Sequence, residues 1–298
     1  MSEQNPNLYI PKVALAASPV LNTLRGYSSH LGTWSSLSVS VDPTDIFLTG
    51  GSVALAASPV QNTLRAYSAL TGAWASLNVA VETTDVFRAA GNTILVASPV
   101  QNTLRAYSGV TGTWASHNVP VEPTDVFMVG SSVALAASPV QNTLRGFSAL
   151  TGTWTTLNVP IDTTDVFLAT GNTILVSSPL SNTLRAYSAI TGTWASQAVA
   201  VDTADRFKVG SHVALVASPL HNTLRAFSAI TGTWASLAVN VETTDVFTVS
   251  GNTAFASSPV QNTLRAYSAV TGAWASLAVS VDTTDIFRVG SIRGIDNN

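Results

Sequence analysis

The sequence predicts an all-β fold, a closed seven-bladed β-propeller with four antiparallel strands per blade, from three observations. Seven tryptophans, Trp34, Trp74, Trp114, Trp154, Trp194, Trp234 and Trp274, stand forty residues apart without insertion or deletion, and so strict a period requires a repeat architecture. Each copy carries four short segments of strand composition bounded by turn signals, and no segment with helical periodicity. The two chain ends are complementary. One begins without a segment that every later copy has, and the other finishes with one segment too many.

The second copy, Val53 to Asn92, shows the elements in order. Four strands follow from composition: A at Thr84 to Ala89, B at Thr93 to Ala97, C at Thr63 to Ser68 and D at Trp74 to Val79. Gly91-Asn92 turns A into B, Ser98-Pro99 ends B, and Thr71-Gly72 turns C into D. The apolar runs Val53-Ala54-Leu55 and Ile94-Leu95-Val96 predict B strands buried on both faces, sandwiched between neighbouring sheets. An open β-solenoid is the alternative, but such coils need caps, and the terminal copies here resemble the middle ones. The first B segment begins at Val13 with no A segment before it, while Val281 to Gly290 repeats an A segment with no B after it. Pairing the two would complete the first blade and remove two exposed strand edges. A single domain over residues 1–298 is expected, with the repeats covering 13–292.

Strands C and D carry Tyr-x6-Trp, as in Tyr67 to Trp74, preceded by Asn62-Thr63-Leu64. This resembles the kelch repeat in all seven copies, with Phe147 and Phe227 in place of the tyrosine in two. Where kelch units end strand B with a glycine pair, this chain has Ser-Pro, as at Ser58-Pro59, so the backbone there must differ. The resemblance implies a propeller that binds proteins or small ligands through its loops, with a few enzymatic relatives.

Composition narrows the function classes. A formal charge of −3 over 298 residues argues against nucleic acid, whose phosphates require clustered Lys and Arg. Although 46% of residues are hydrophobic, no stretch approaches the roughly 20 apolar residues of a membrane helix. Met1 to Asn7 shows no signal peptide, and a cytoplasmic address is expected. Cysteine is absent, which removes disulfides, thiolate metal sites and a cysteine nucleophile. His30, His117, His212 and His221 fall in different elements, so no metal site or cofactor is expected. No histidine recurs beside the recurrent serines, and no glycine-rich phosphate loop is present, so an enzyme is not expected.

Two columns of charge recur. An arginine stands two residues before each C-strand aromatic, including Arg65 and Arg105, and an aspartate stands two before each A-strand phenylalanine, including Asp85 and Asp125. A ring of free carboxylates could hold a cation or a sugar, but buried charges are normally paired, so these residues are read as structural pairs or backbone caps. The tryptophans are likewise read as packing rather than as sugar platforms. A specific site must lie where the copies differ. One variable column, the loop between B and C, runs through Leu21, Gln61, Gln101, Gln141, Ser181, His221 and Gln261, and these loop residues, Leu21 apart, are the binding candidates. A second runs through Leu48, Arg88, Met128, Leu168, Lys208, Thr248 and Arg288, with Arg206 adding a nearby charge. The resulting expectation is a monomeric, non-catalytic scaffold presenting repeated loops to a protein or repetitive ligand. The alternatives are a multivalent lectin with equivalent sites and an engineered or recently amplified repeat without a specific ligand.

Overall fold

The forty-residue period becomes one antiparallel sheet per copy. In the computed structural model, which describes residues 11–290, the chain holds seven such sheets and no helix among the described residues. Sheet 1 has three strands, β1 (Val13–Ser18), β2 (Thr23–Ser28) and β3 (Thr33–Ser38). Sheet 2 is β4 (Ile46–Thr49), β5 (Val53–Ser58), β6 (Thr63–Ser68) and β7 (Ala73–Asn78). Sheet 3 is β8 (Val86–Ala90), β9 (Thr93–Ser98), β10 (Thr103–Ser108) and β11 (Thr113–Asn118). Sheet 4 is β12 (Val126–Val129), β13 (Val133–Ser138), β14 (Thr143–Ser148) and β15 (Thr153–Asn158). Sheet 5 is β16 (Val166–Thr170), β17 (Thr173–Ser178), β18 (Thr183–Ser188) and β19 (Thr193–Ala198). Sheet 6 is β20 (Arg206–Val209), β21 (Val213–Ser218), β22 (Thr223–Ser228) and β23 (Thr233–Ala238). Sheet 7 is β24 (Val246–Ser250), β25 (Thr253–Ser258), β26 (Thr263–Ser268) and β27 (Ala273–Ala278). In each four-stranded sheet the order is A, B, C, D along the chain.

The packing divides the chain into two compact units, Met1–Pro123 with Ala149–Gly152, and Thr124–Ser148 with Thr153–Asn298. Within each unit, successive sheets stack and bury an apolar layer between them. In the first unit Val53, Leu55, Leu64, Ile94, Val96 and Tyr107 form such a layer between sheets 2 and 3. In the second, Leu175, Leu184, Val201, Val216 and Phe227 form one between sheets 5 and 6. The B strands β5, β9, β13, β17 and β21 are buried along their whole length, as the unalternating apolar runs require of a strand covered on both faces.

Two kinds of side chain bind one sheet to the next. Each buried C-strand serine donates to a carbonyl forty-one residues on, as Ser68 Oγ does to Gly109 O at 2.5 Å and Ser228 Oγ to Ala269 O at 2.6 Å. Tryptophan reaches the other way. The Trp114 indole donates to Ala75 O at 3.3 Å and the Trp234 indole to Ala195 O at 3.4 Å, tying neighbouring D strands together. The same indole stacks at a tilt on the C-strand ring of its own sheet, with centroids 5.3 Å apart for Tyr107 and Trp114. The Tyr-x6-Trp spacing is therefore a cross-strand aromatic pair around a hairpin.

Two strand starts need correction. The D strand of sheet 2 starts at Ala73 rather than Trp74, because the C to D turn is a four-residue loop ending at Gly72, whose φ is 70°. The A strand of sheet 3 starts at Val86 rather than Thr84, because Asp85 is spent on the preceding turn: Asp85 Oδ2 accepts from Glu82 N and Asp85 N donates to Glu82 O, both at 3.1 Å. Among the described residues sheet 1 has three strands, and residues 281–290 form no strand. Val281 is buried and Phe287 packs on Phe255 with ring centroids 5.3 Å apart, yet Ile286 is 81% exposed. The segment rests on sheet 7 where an A strand would run, without a B strand beside it.

Candidate functional site

Each sheet ends in two kinds of edge. At one, A–B and C–D turns lie together, as the bond from Ala69 N to Ser52 O shows. At the other lie the B–C loop, which holds the variable column, and the D–A loop. The B–C loop follows Ser-Pro with two further residues and then an asparagine in the left-handed region, with φ of 52° at Asn62 and 49° at Asn102. Asparagine tolerates that conformation where most side chains clash. The asparagine then clamps the D–A loop: Asn102 O accepts from Val119 N at 2.9 Å, and Asn102 Oδ1 from Val121 N at 3.4 Å.

The structure brings the glutamine column and the arginine column together. Arg105 Nη2 donates to Gln101 Oε1 at 2.5 Å, while Gln101 Nε2 donates to Ala80 O at 2.5 Å. Arg65 and Gln61 repeat this at 2.6 Å, with Gln61 Nε2 reaching Ser40 O at 2.7 Å. Arg145 donates to Gln141, and Arg265 to Gln261, in the same way at 2.5 Å. Both ends of the Gln61, Gln101 and Gln261 amides are thus used inside the protein. Ser181 is too short for that clasp, and at the sixth copy His221 Nε2 stands 3.7 Å from Asp202 Oδ2 instead.

The aspartates act in two ways. Asp45, Asp85, Asp165, Asp205, Asp245 and Asp285 each cap their own D–A turn, and every aspartate of the column from Asp45 to Asp245 acts on the arginine twenty residues on. Burial pushes the Arg105 guanidinium below its ordinary value, and Asp85 opposes that shift. Asp45 does the same for Arg65, and Asp125 for Arg145. Each of these arginines is buried, so the neighbouring charge compensates lost hydration.

The sequence reading missed what lies next to the glutamines. The residue after the proline is apolar in every copy and projects outward: Val60 and Val140 are each 63% exposed, and Leu180 is 73% exposed. The signal was present as an invariant apolar residue in a loop, where burial offers no reason for one. The D–A loops carry an acid in each copy, Asp42, Glu82, Glu122, Asp162, Asp202, Glu242 and Asp282. Amide and hydroxyl donation from Thr164 lowers the Asp162 carboxyl below its usual range, so it stays ionised. Between sheets 5 and 6 the tips and acids border a cavity of about 510 Å³, lined by Val166, Ser177, Pro179, Leu180, Asp202 and Phe207 among others.

The histidines remain apart. His212 Nε2 lies 2.6 Å from Asn172 Nδ2 among the A–B turns, and His221 is in a B–C loop. Among the described residues no group of three or more His, Asp or Glu side chains is placed to hold a metal. No helix among them is long and apolar enough to cross a membrane.

No protein-family model matches the sequence, and no curated protein matches it. Among solved structures, Kluyveromyces lactis Hsv2 is similar over 89% of this chain and 93% of its own, at 9% identity and a TM-score of 0.33. The computationally designed Ika8 protein is similar over 91% of this chain and 88% of its own, at 12% identity and a TM-score of 0.29. Saccharomyces cerevisiae Sqt1 is similar over 92% and 87% respectively, at 12% identity and a TM-score of 0.30. At TM-scores this low, these likenesses carry no argument about fold or function.

Proposed function

We propose that this protein is a non-catalytic binding scaffold of kelch-like repeats, a closed propeller that presents its B–C and D–A loops to a protein partner. The observation that carries the reading is the column of exposed apolar tips, with Val100 62% exposed and Val140 63% exposed, set on hairpins clamped by a glutamine that holds a buried arginine. Apolar side chains held in water by a rigid support, with charged groups around them, are the make-up of a recognition surface. Two features favour a protein over a glycan. The tips are aliphatic, and the indoles that would serve as sugar platforms donate to neighbouring sheets. Neither nucleic acid nor membrane is a partner in this reading.

An unbiased screen of proteins and glycans with measured stoichiometry tests it. A protein partner is expected, and replacing Val60, Val100 and Val140 by serine should weaken it at least tenfold while the melting temperature stays within a few degrees. Binding of one sugar per sheet on a glycan array, or a partner indifferent to these substitutions, would overturn the reading.

A further inference from the structure

One arginine in this chain shows what the groove beside the apolar tips accepts. At the first position of strand A every described copy has Ile or Val, except the sixth, which has Arg206. Its guanidinium crosses from sheet 6 to the D–A loop of sheet 7. There Nη1 donates to Asp245 O and Nη2 to Thr243 O, each at 3.2 Å, and the guanidinium carbon lies over the Phe247 ring, 5.6 Å from its centroid. Two carbonyls and an aromatic face match a guanidinium well, because it is planar, donates in two directions and stacks.

Forty residues earlier the same frame is intact but the arginine is missing. Val166 stands in place of Arg206, and Thr203, Asp205 and Phe207 stand in place of Thr243, Asp245 and Phe247. The cavity of about 510 Å³ lies there, lined by Val166, Thr203, Phe207, Asp202, Pro179 and Leu180 among others, of which Leu180 is 73% exposed. That volume is in the usual range for a bound side chain or small ligand. Asp202 adds a carboxylate, and Ser177 adds a buried hydroxyl without a hydrogen-bond partner, in a position held by alanine in most copies.

We infer that the cavity between sheets 5 and 6 is a subsite for an arginine side chain of a partner polypeptide, copying the seat that Arg206 takes between sheets 6 and 7. The bound guanidinium donates to the Thr203 and Asp205 carbonyls, lies over Phe207 and has Asp202 as its counter-charge. An apolar neighbour of that arginine rests on Pro179 and Leu180, which makes a peptide the fitting source. The inference rests on the reading of the loops as a recognition surface and names the partner's chemistry.

The test is a titration of the full chain with the tripeptide acetyl-Ala-Arg-Leu-amide, followed by the backbone amide resonances of Thr203 and Phe207. Its lysine counterpart and free arginine amide are the controls. The arginine peptide should shift both resonances, with the two controls at least tenfold weaker. Val166→Arg should abolish the response by seating an internal guanidinium, and Arg206→Val should add a second response at Thr243 and Phe247. Equal binding of the lysine peptide would reduce the effect to the charge of Asp202 and overturn the inference. Equal binding of arginine amide would overturn the peptide as its source. Unchanged binding by a Val166→Arg protein of wild-type melting temperature would also overturn it, and Arg206→Val guards against a misfolded variant. A screened protein partner that binds Val166→Arg normally would sink the arginine subsite and leave the scaffold standing. Tripeptide binding with no protein partner found would do the reverse.

Discussion

Gln101 holds a buried guanidinium to the backbone of the neighbouring loop, and its amide is the link between strand C and the D–A turn. Gln101→Ala leaves Arg105 without that acceptor, and a hydrogen bond to a charged group contributes about 1.5–3 kcal/mol. Urea unfolding should show a loss in that range, while Val60→Ser alone, at an exposed tip, should stay within about 0.5 kcal/mol. The column of glutamines was legible as sequence, but its role was not, because variability is equally compatible with recognition and with a fill-in role that a serine or histidine can abandon. Tyr187 offers a test by pH. Burial pushes its phenol from the ordinary 10.0 up to about 12, with a smaller opposing effect from Thr155. Below pH 10 the phenol is protonated in folded and unfolded chain alike. Between pH 10 and about 12 the unfolded chain loses the proton first, so stability falls as pH rises through that window, by roughly 2–3 kcal/mol. Tyr187→Phe, a replacement already present at Phe147 and Phe227, should flatten that fall in alkaline denaturation. An unchanged pH profile would contradict it.

At the level of the sheets, strand existence and type were readable to within two residues, because apolar runs, β-branched residues and glycine-containing turns agree from copy to copy. What sequence patterning left open was how tightly the sheets approach. Gly146 is the clearest case: a Cβ placed on it would lie 2.9 Å from the Tyr187 ring, which belongs to the next sheet. Gly146→Val should therefore cost about 1–3 kcal/mol by overpacking, read as a lowered denaturation midpoint with an unchanged m-value. A neutral outcome would mean that the two sheets separate easily. The inter-sheet serine and tryptophan bonds join groups about forty residues apart, a separation that no local pattern encodes.

At the scale of the molecule, closure is the proposal that remains to be measured. By the register of the other copies, in which Phe47 pairs with Ala56 and Leu48 with Leu55, Phe287 would pair with Ala16 and Arg288 with Leu15. The chain has no cysteine, so Ala16→Cys with Phe287→Cys makes a clean probe. Oxidation is expected to give an intramolecular cross-link and a monomer of raised melting temperature. A disulfide-linked dimer, or none, would show that the strand is not exchanged within one chain. Deleting residues 281–298 should lower the melting temperature and promote association through the unpaired β1 edge. An equally stable monomer would refute the latch.

The sequence by itself determined the number of sheets, the bounds of their observed strands to within two residues and the all-β class, since periodicity, turn chemistry and β-propensity act locally and repeat seven times. Tertiary structure alone decided which recurrent residues are occupied and which are offered. Gln101 turns inward because Arg105 needs an acceptor once buried, Val100 is left in water because the hairpin closes beneath it, and Arg206 shows its purpose only when the next sheet supplies Phe247 and two carbonyls. Each of those outcomes depends on desolvation and on neighbours distant in the chain, which a forty-residue pattern cannot express.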